Sequence, residues 1–210
     1  MEIPSSVLID SINYKIEIKD KPIIMDGKEH CGLIKFYEDV ILLSGSIGES
    51  QRVTSLAHEI IHGILFSRGL PSDNEFLVEQ FGRGFINLCR DNPGLNSIIK
   101  GVRISNSTIR IDSIIYSIIL SEEEDMLKDN ELVDGYTDCL ECNIYLCKNL
   151  DSERMKNVFF ECIIAAIIHE RSIEIPDDEI CFRRQLSNGV INLLQDNPQI
   201  LQVFSKKYSS

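Results

Sequence analysis

Apolar and polar positions alternate at the start of the chain. Val7-Leu8-Ile9, a polar pair at Asp10-Ser11, then Ile12 to Ile18 predict a β-hairpin. Thr108 to Ile119 repeats the pattern. Gly32 to Phe36, a turn at Tyr37-Glu38-Asp39, and Val40 to Leu43 predict a second hairpin. The period then changes. Val53, Leu56, Ala57, Ile60, Ile61 and Ile64 fall at helical spacing, with Ser46, Glu49 or Ser50 as caps and Gly69 and Pro71 as the stop. Ser72 or Asp73 caps a second helix, in which Phe81, Phe85 and Leu88 share a face and Asp91-Asn92-Pro93 closes. The unit is ββββαα. Its strands and helices are segregated, which makes it an α+β fold.

The unit occurs twice. IDSINY at 9–14 matches IDSIIY at 111–116, and FGRGFINLCRDNP at 81–93 matches LSNGVINLLQDNP at 186–198. Between them ILLSGSIGES at 41–50 aligns with IYLCKNLDSE at 144–153, so three matches keep order and register. A repeat this long is too large for a solenoid unit and fits a duplicated small domain. Asn, Pro, Gly and Ser over 93–106 mark the boundary, giving domains 1–104 and 105–210 that pack as an intramolecular pseudo-dimer.

Composition narrows the function. The 210 residues carry a formal net charge of -12, and no basic run offsets it. Nucleic acid and anionic membrane surfaces are therefore poor partners. The first copy carries 11 basic and 14 acidic side chains and the second 10 and 19, so the acidity lies mainly in the second. No apolar stretch is long enough for a membrane span, and the N-terminus does not read as a secretory signal. Seven cysteines, an odd number, then read as reduced thiols in a cytosol.

The chemistry lies in His58-Glu59-Ile60-Ile61-His62. Spacing of i, i+4 puts both imidazoles on one helix face, within reach of a single Zn²⁺. Glu59, pointing aside from that pair, suits a general base. A catalytic zinc needs a third protein ligand and an open position. Glu75 and Glu79 on the next helix offer it. Glu79 is favoured because it lies beyond the fraying first turn, with Gly82 leaving room for the neighbouring helix; Glu75 is then an outer partner. These two histidines, of four in the chain, interrupt an otherwise apolar helix, and a shared metal removes the cost of burying them unpaired.

The first copy resembles the phage-type zinc metallopeptidases of the ImmA/IrrE-like group of zincins. The likeness is carried by the opening hairpins, RVTSLAHEIIHGIL and DNEFLVEQFGRGFINLCRDNP. It implies a zincin-like unit with His58, His62 and Glu79 as ligands of one Zn²⁺ and Glu59 as base. It also implies a protein or peptide substrate, a phage or prophage origin and a bacterial cytosol. The second copy departs from the motif, with Glu161, Cys162, Ala165 and Arg184 at the positions of His58, Glu59, His62 and Glu79. It reads as a degenerate, metal-free repeat. A zinc endopeptidase is the leading expectation; an interaction protein in which catalysis is dispensable is the alternative.

Other residues carry less. Cys139, Cys142 and Cys147 lack the second pair or histidines of a structural zinc site, His169 being the only histidine in their copy. His30 reads as a solvated loop residue, Tyr37 as a turn tyrosine. Arg83 reads as a substrate or carboxylate contact, or equally as a surface ion pair.

Overall fold

The computed structural model describes residues 2–25, 27–101, 104, 108–128, 131–175 and 178–206. In the first half β1 (Ser6–Ile9) and β2 (Ile12–Lys19) form an antiparallel hairpin. A short separate hairpin follows, β3 (Ile23–Met25) and β4 (Lys28–His30). Next come β5 (Gly32–Lys35) and β6 (Val40–Ser44), again antiparallel. β6 lies parallel to β2, so the sheet order is β1-β2-β6-β5 and β5 is an edge. Then follow α1 (Glu49–Ser67), α2 (Glu75–Asp91) and α3 (Leu95–Ile99).

The second half runs through the same plan. β7 (Thr108–Ile111), β8 (Ile114–Ser121), the small pair β9 (Leu127–Lys128) and β10 (Glu131–Leu132), β11 (Gly135–Asp138) and β12 (Asn143–Cys147) precede α4 (Ser152–Glu170), α5 (Glu179–Asp196) and α6 (Pro198–Phe204). Its main sheet has the order β7-β8-β12-β11, with β8 and β12 parallel. The fold is α+β.

Three local features differ from the sequence pattern. The polar stretch from Asp26 to His30 supplies β4, which pairs with the apolar β3, while Asp26 lies outside the described residues. The expected linker contains α3, because Leu95, Ile98 and Ile99 have helical spacing and are buried. Its Pro93-Gly94 step leads into a helix start; Ser105, Asn106 and Ser107 lie outside the described residues. Asn74, not Ser72 or Asp73, caps α2 by accepting from Leu77 N–H at 3.1 Å.

One apolar core runs through both halves, from Val7 and Ile41 to Phe159 and Phe204. Each fully buried Ile, Leu or Phe in it stabilises the chain by roughly 1.5–3 kcal/mol. α1 packs on β5, β6 and β1 of its own half, while α5 packs on α1 and β1 and α2 packs on α4 and β7. The inter-half contacts are reciprocal. Asp10 binds Arg68 and accepts from Asn192 at 3.2 Å; Asp112 binds Arg171 and accepts from Asn87 at 2.6 Å. Glycines let the helices approach: a Cβ on Gly84 would lie 2.8 Å from Ile167, and one on Gly189 would lie 2.4 Å from Ile64. This matched exchange is the contact pattern of an isologous dimer, made within one chain.

Candidate metal centre

α1 carries His58, Glu59 and His62 at mid-length, and α2 packs against it from its first turn. Both imidazoles project toward that first turn. Their Nε2 atoms are 3.0 Å apart. The Glu75 carboxylate closes the triangle, with one oxygen 3.2 Å from His58 Nε2 and the other 3.5 Å from His62 Nε2. Asn74 caps α2 immediately before Glu75, and a carboxylate there is favoured by the helix dipole.

The outer nitrogens are also engaged. His62 Nδ1 lies 2.7 Å from the carbonyl oxygen of Ser72. A carbonyl only accepts, so Nδ1 carries the hydrogen and Nε2 presents a lone pair. His58 Nδ1 lies 3.3 Å from a Glu79 oxygen, and the other oxygen of Glu79 accepts from Arg83 at 2.5 Å. When His58 Nδ1 donates to Glu79 in the same way, two imidazole lone pairs and a carboxylate face one another.

Such a group repels itself unless a cation or added protons occupy its centre. Protons are disfavoured at His62, whose pKa burial lowers, with the neighbouring His58 acting in the same direction. A divalent ion fits. Nitrogens about 2.0–2.1 Å from a tetrahedral Zn²⁺ lie roughly 3.3 Å apart, close to the observed spacing. Among the described residues this is the only such group of three potential ligands.

The chain matches no family model, no curated protein and no solved structure. The site's chemistry therefore rests on its own geometry.

Glu59 is 6% exposed and sits beneath the edge strand β5. Its Oε2 accepts from Ile34 N–H at 2.8 Å, and a Cβ on Gly32 would come within 2.7 Å of its Oε1. Only glycine leaves the carboxylate this space. Burial pushes the Glu59 pKa up to about 8, against a smaller opposing effect of the Ile34 hydrogen bond. A nearby cation favours its ionised form.

The expected residues divide in one respect. His58, His62 and Glu59 lie together, but Glu75 occupies the third corner of the triangle in place of Glu79. Glu75 begins the helix turn that faces both Nε2 atoms, whereas Glu79, one turn on, reaches only the far nitrogen of His58. A Cβ on Gly82 would sit 3.6 Å from the His58 backbone, an ordinary contact. His30 and Arg83 line the cleft, which has a volume of about 510 Å³; Cys31 lines it too. His30 lies in β4 and not in a loop. Tyr37 is 94% exposed at the β5–β6 turn, edge-on to Phe66, and does not line the cleft.

At the matching place in the second half lies a cavity of about 470 Å³ lined by Glu161, Cys162, Ala165, Ile180 and Arg184 among others. Arg184 approaches Glu161 at 3.5 Å, and burial pushes the Cys162 thiol up to about 12. Ile180 stands where Glu75 stands in the first half. Cys139 and Cys142 flank the β11–β12 turn.

Proposed function

We propose that the chain is a zinc-dependent peptidase whose site lies in its first half. The observation that carries this reading is the convergence of His58 Nε2, His62 Nε2 and the Glu75 carboxylate oxygens at separations of 3.0, 3.2 and 3.5 Å. His58, His62 and Glu75 would hold the ion, with Glu79 and the Ser72 carbonyl fixing the ring orientations. Zn²⁺ bound there would lower the pKa of a water toward about 7 and polarise a scissile carbonyl.

Glu59 supplies the proton transfers. It accepts a proton from the water that attacks the carbonyl and returns it to the leaving amine. Its burial keeps its proton affinity in the range this exchange needs, and the Ile34 N–H holds it in place. Two histidines and a carboxylate also suit non-haem iron(II). The buried carboxylate beside the site favours hydrolysis, which needs a group to take a proton from the attacking water.

The test combines metal analysis with Glu59→Gln. The wild-type chain is expected to bind one zinc and cut peptides; Glu59→Gln is expected to bind zinc equally and cut at least 100-fold more slowly. Iron in place of zinc, or undiminished cutting by the variant, would overturn the reading.

A further inference from the structure

We infer that the substrate is an acidic stretch of polypeptide, held in a cationic groove that runs on from the metal cleft. This inference rests on the peptidase reading above. The groove has a volume of about 600 Å³ and shares Ser50, Thr54 and Arg83 with the metal cleft, so the two adjoin. Arg83, Arg90, Arg171 and Lys206 line it, and none of its lining residues is acidic. In a chain of net charge -12 a lining with four cations and no acidic side chain stands out.

The cations have internal partners, but these do not exhaust them. Arg83 pairs with Glu79, Arg90 with Asp91, Arg171 with Asp112 and Lys206 with Glu49, and none of those carboxylates lines the groove. A guanidinium has five N–H donors, and a single carboxylate takes about two of them. Donors therefore remain for carboxylates of a ligand on Arg83 and Arg90, the more exposed pair, while Arg171 also donates to Gln80 and is largely buried.

The groove is also specific to one half. The pairing of Gly84 with Gly189 and of Asn87 with Asn192 sets the equivalence of the two helices. In that register Asn188 and Gln195 stand at the positions of Arg83 and Arg90. The helix that carries the candidate ligand Glu75 has arginines at these two positions; its counterpart carries its own, Arg183 and Arg184, elsewhere, facing the cavity of the second half. The second half instead contributes Arg171, from the end of α4, and Lys206 to the groove of the first. Without the degenerate half this groove would be incomplete.

Dimensions fix what to look for. Glu75, Glu79, Arg83 and Arg90 follow one another along α2, whose rise is about 1.5 Å per residue. Arg83 and Arg90 are then roughly 6–22 Å along the helix from the two glutamates. An extended peptide advances about 3.3 Å per residue, so acidic side chains would meet them about two to seven residues from the cut bond.

The experiment digests a complex mixture of peptides with the zinc-loaded full-length chain and reads the cut sites by mass spectrometry. Asp and Glu are expected to be enriched at least threefold within about two to seven residues of the cut, on one side only. The enrichment is expected to fall to background with Arg83→Gln/Arg90→Gln, whose folding is checked by its thermal unfolding. Cuts without acidic enrichment, or enrichment that survives in the folded double variant, would overturn this inference and leave the peptidase reading standing. No cuts at all would remove both.

Discussion

The Asn197 side chain grips the backbone of Leu8, 189 residues away: its oxygen accepts from Leu8 N–H at 2.8 Å and its amide donates to Leu8 carbonyl at 2.7 Å. Asn92 makes the same pair of bonds with Arg110, at 2.8 and 2.6 Å. Each asparagine ends a long helix of one half and completes the edge of the first strand of the other. An asparagine amide can imitate a strand in this way because it offers one donor side and one acceptor side.

Asn197→Ala is accordingly expected to destabilise the chain by about 2–4 kcal/mol, since a part-buried backbone donor and acceptor lose their partners at about 1–2 kcal/mol each, the lower part of the range for buried groups. Asn197 itself is 2% exposed, so water cannot take its place. The bonds of Asn92 are solvent-exposed, and Asn92→Ala is expected to cost less, about 1 kcal/mol. Urea unfolding measures both. Because the core is continuous, a single transition is expected, and two separated transitions would contradict the shared core.

Gly189→Ala tests the closeness of the helices. A Cβ there would lie 2.4 Å from Ile64 and 2.8 Å from Arg68. Overpacking costs about 1–3 kcal/mol, and alanine returns about 1 kcal/mol in helix propensity. The net expectation is a loss of about 0–2 kcal/mol in denaturant unfolding. A stabilised variant would mean that the helices separate without cost.

Much of this is legible in the sequence, and the remainder has identifiable reasons. The His58–His62 pair follows from helix geometry alone, since i, i+4 fixes a shared face. Glu59 follows from the same helix. The third corner does not: Glu75 and Glu79 are one turn apart, and the choice depends on how α2 approaches α1. The acceptor that orients His62 is the Ser72 carbonyl, a backbone atom that any residue would supply. The β3–β4 hairpin shows no alternation because its two three-residue strands are Ile-Ile-Met and Lys-Glu-His, one wholly apolar and one wholly polar. The inter-half contacts did leave a signal. The repeated Ile-Asp-Ser-Ile and Asp-Asn-Pro segments contain Asp10, Asp112, Asn92 and Asn197, which lie in the seam and not in the metal centre.

Stability of the metal-free chain is expected to fall with rising pH through Glu59. Its folded pKa of about 8 lies above its ordinary value of 4.5. Between those values the unfolded chain has released a proton that the folded chain retains, so raising the pH favours unfolding. The contribution is complete below about pH 4.5 and is lost as the pH rises through about 8. His62 acts in the opposite direction, because burial lowers its pKa, but it is common to wild type and Glu59→Gln and cancels in their difference. Denaturant unfolding of both metal-free chains at pH 5 and pH 8 measures this. Wild type is expected to lose stability relative to Glu59→Gln between the two; a constant or rising difference would show that Glu59 is not protonated in the fold.

Glu75 and Glu79 are separated most directly by their effects on metal affinity. Glu75 faces both Nε2 atoms, so Glu75→Gln removes a candidate ligand and the negative charge that offsets the ion. Glu79 touches only the Nδ1 side of His58 and is shared with Arg83. Loss of such an orienting partner typically weakens a metal site about 10–100-fold. Glu79→Gln is therefore expected to fall in that range, and Glu75→Gln to weaken binding by more than about 100-fold. Competition for zinc against a chromophoric chelator measures both affinities without reference to activity. The opposite order would make Glu79 the ligand, which requires the His58 ring to turn so that its Nδ1 faces the ion.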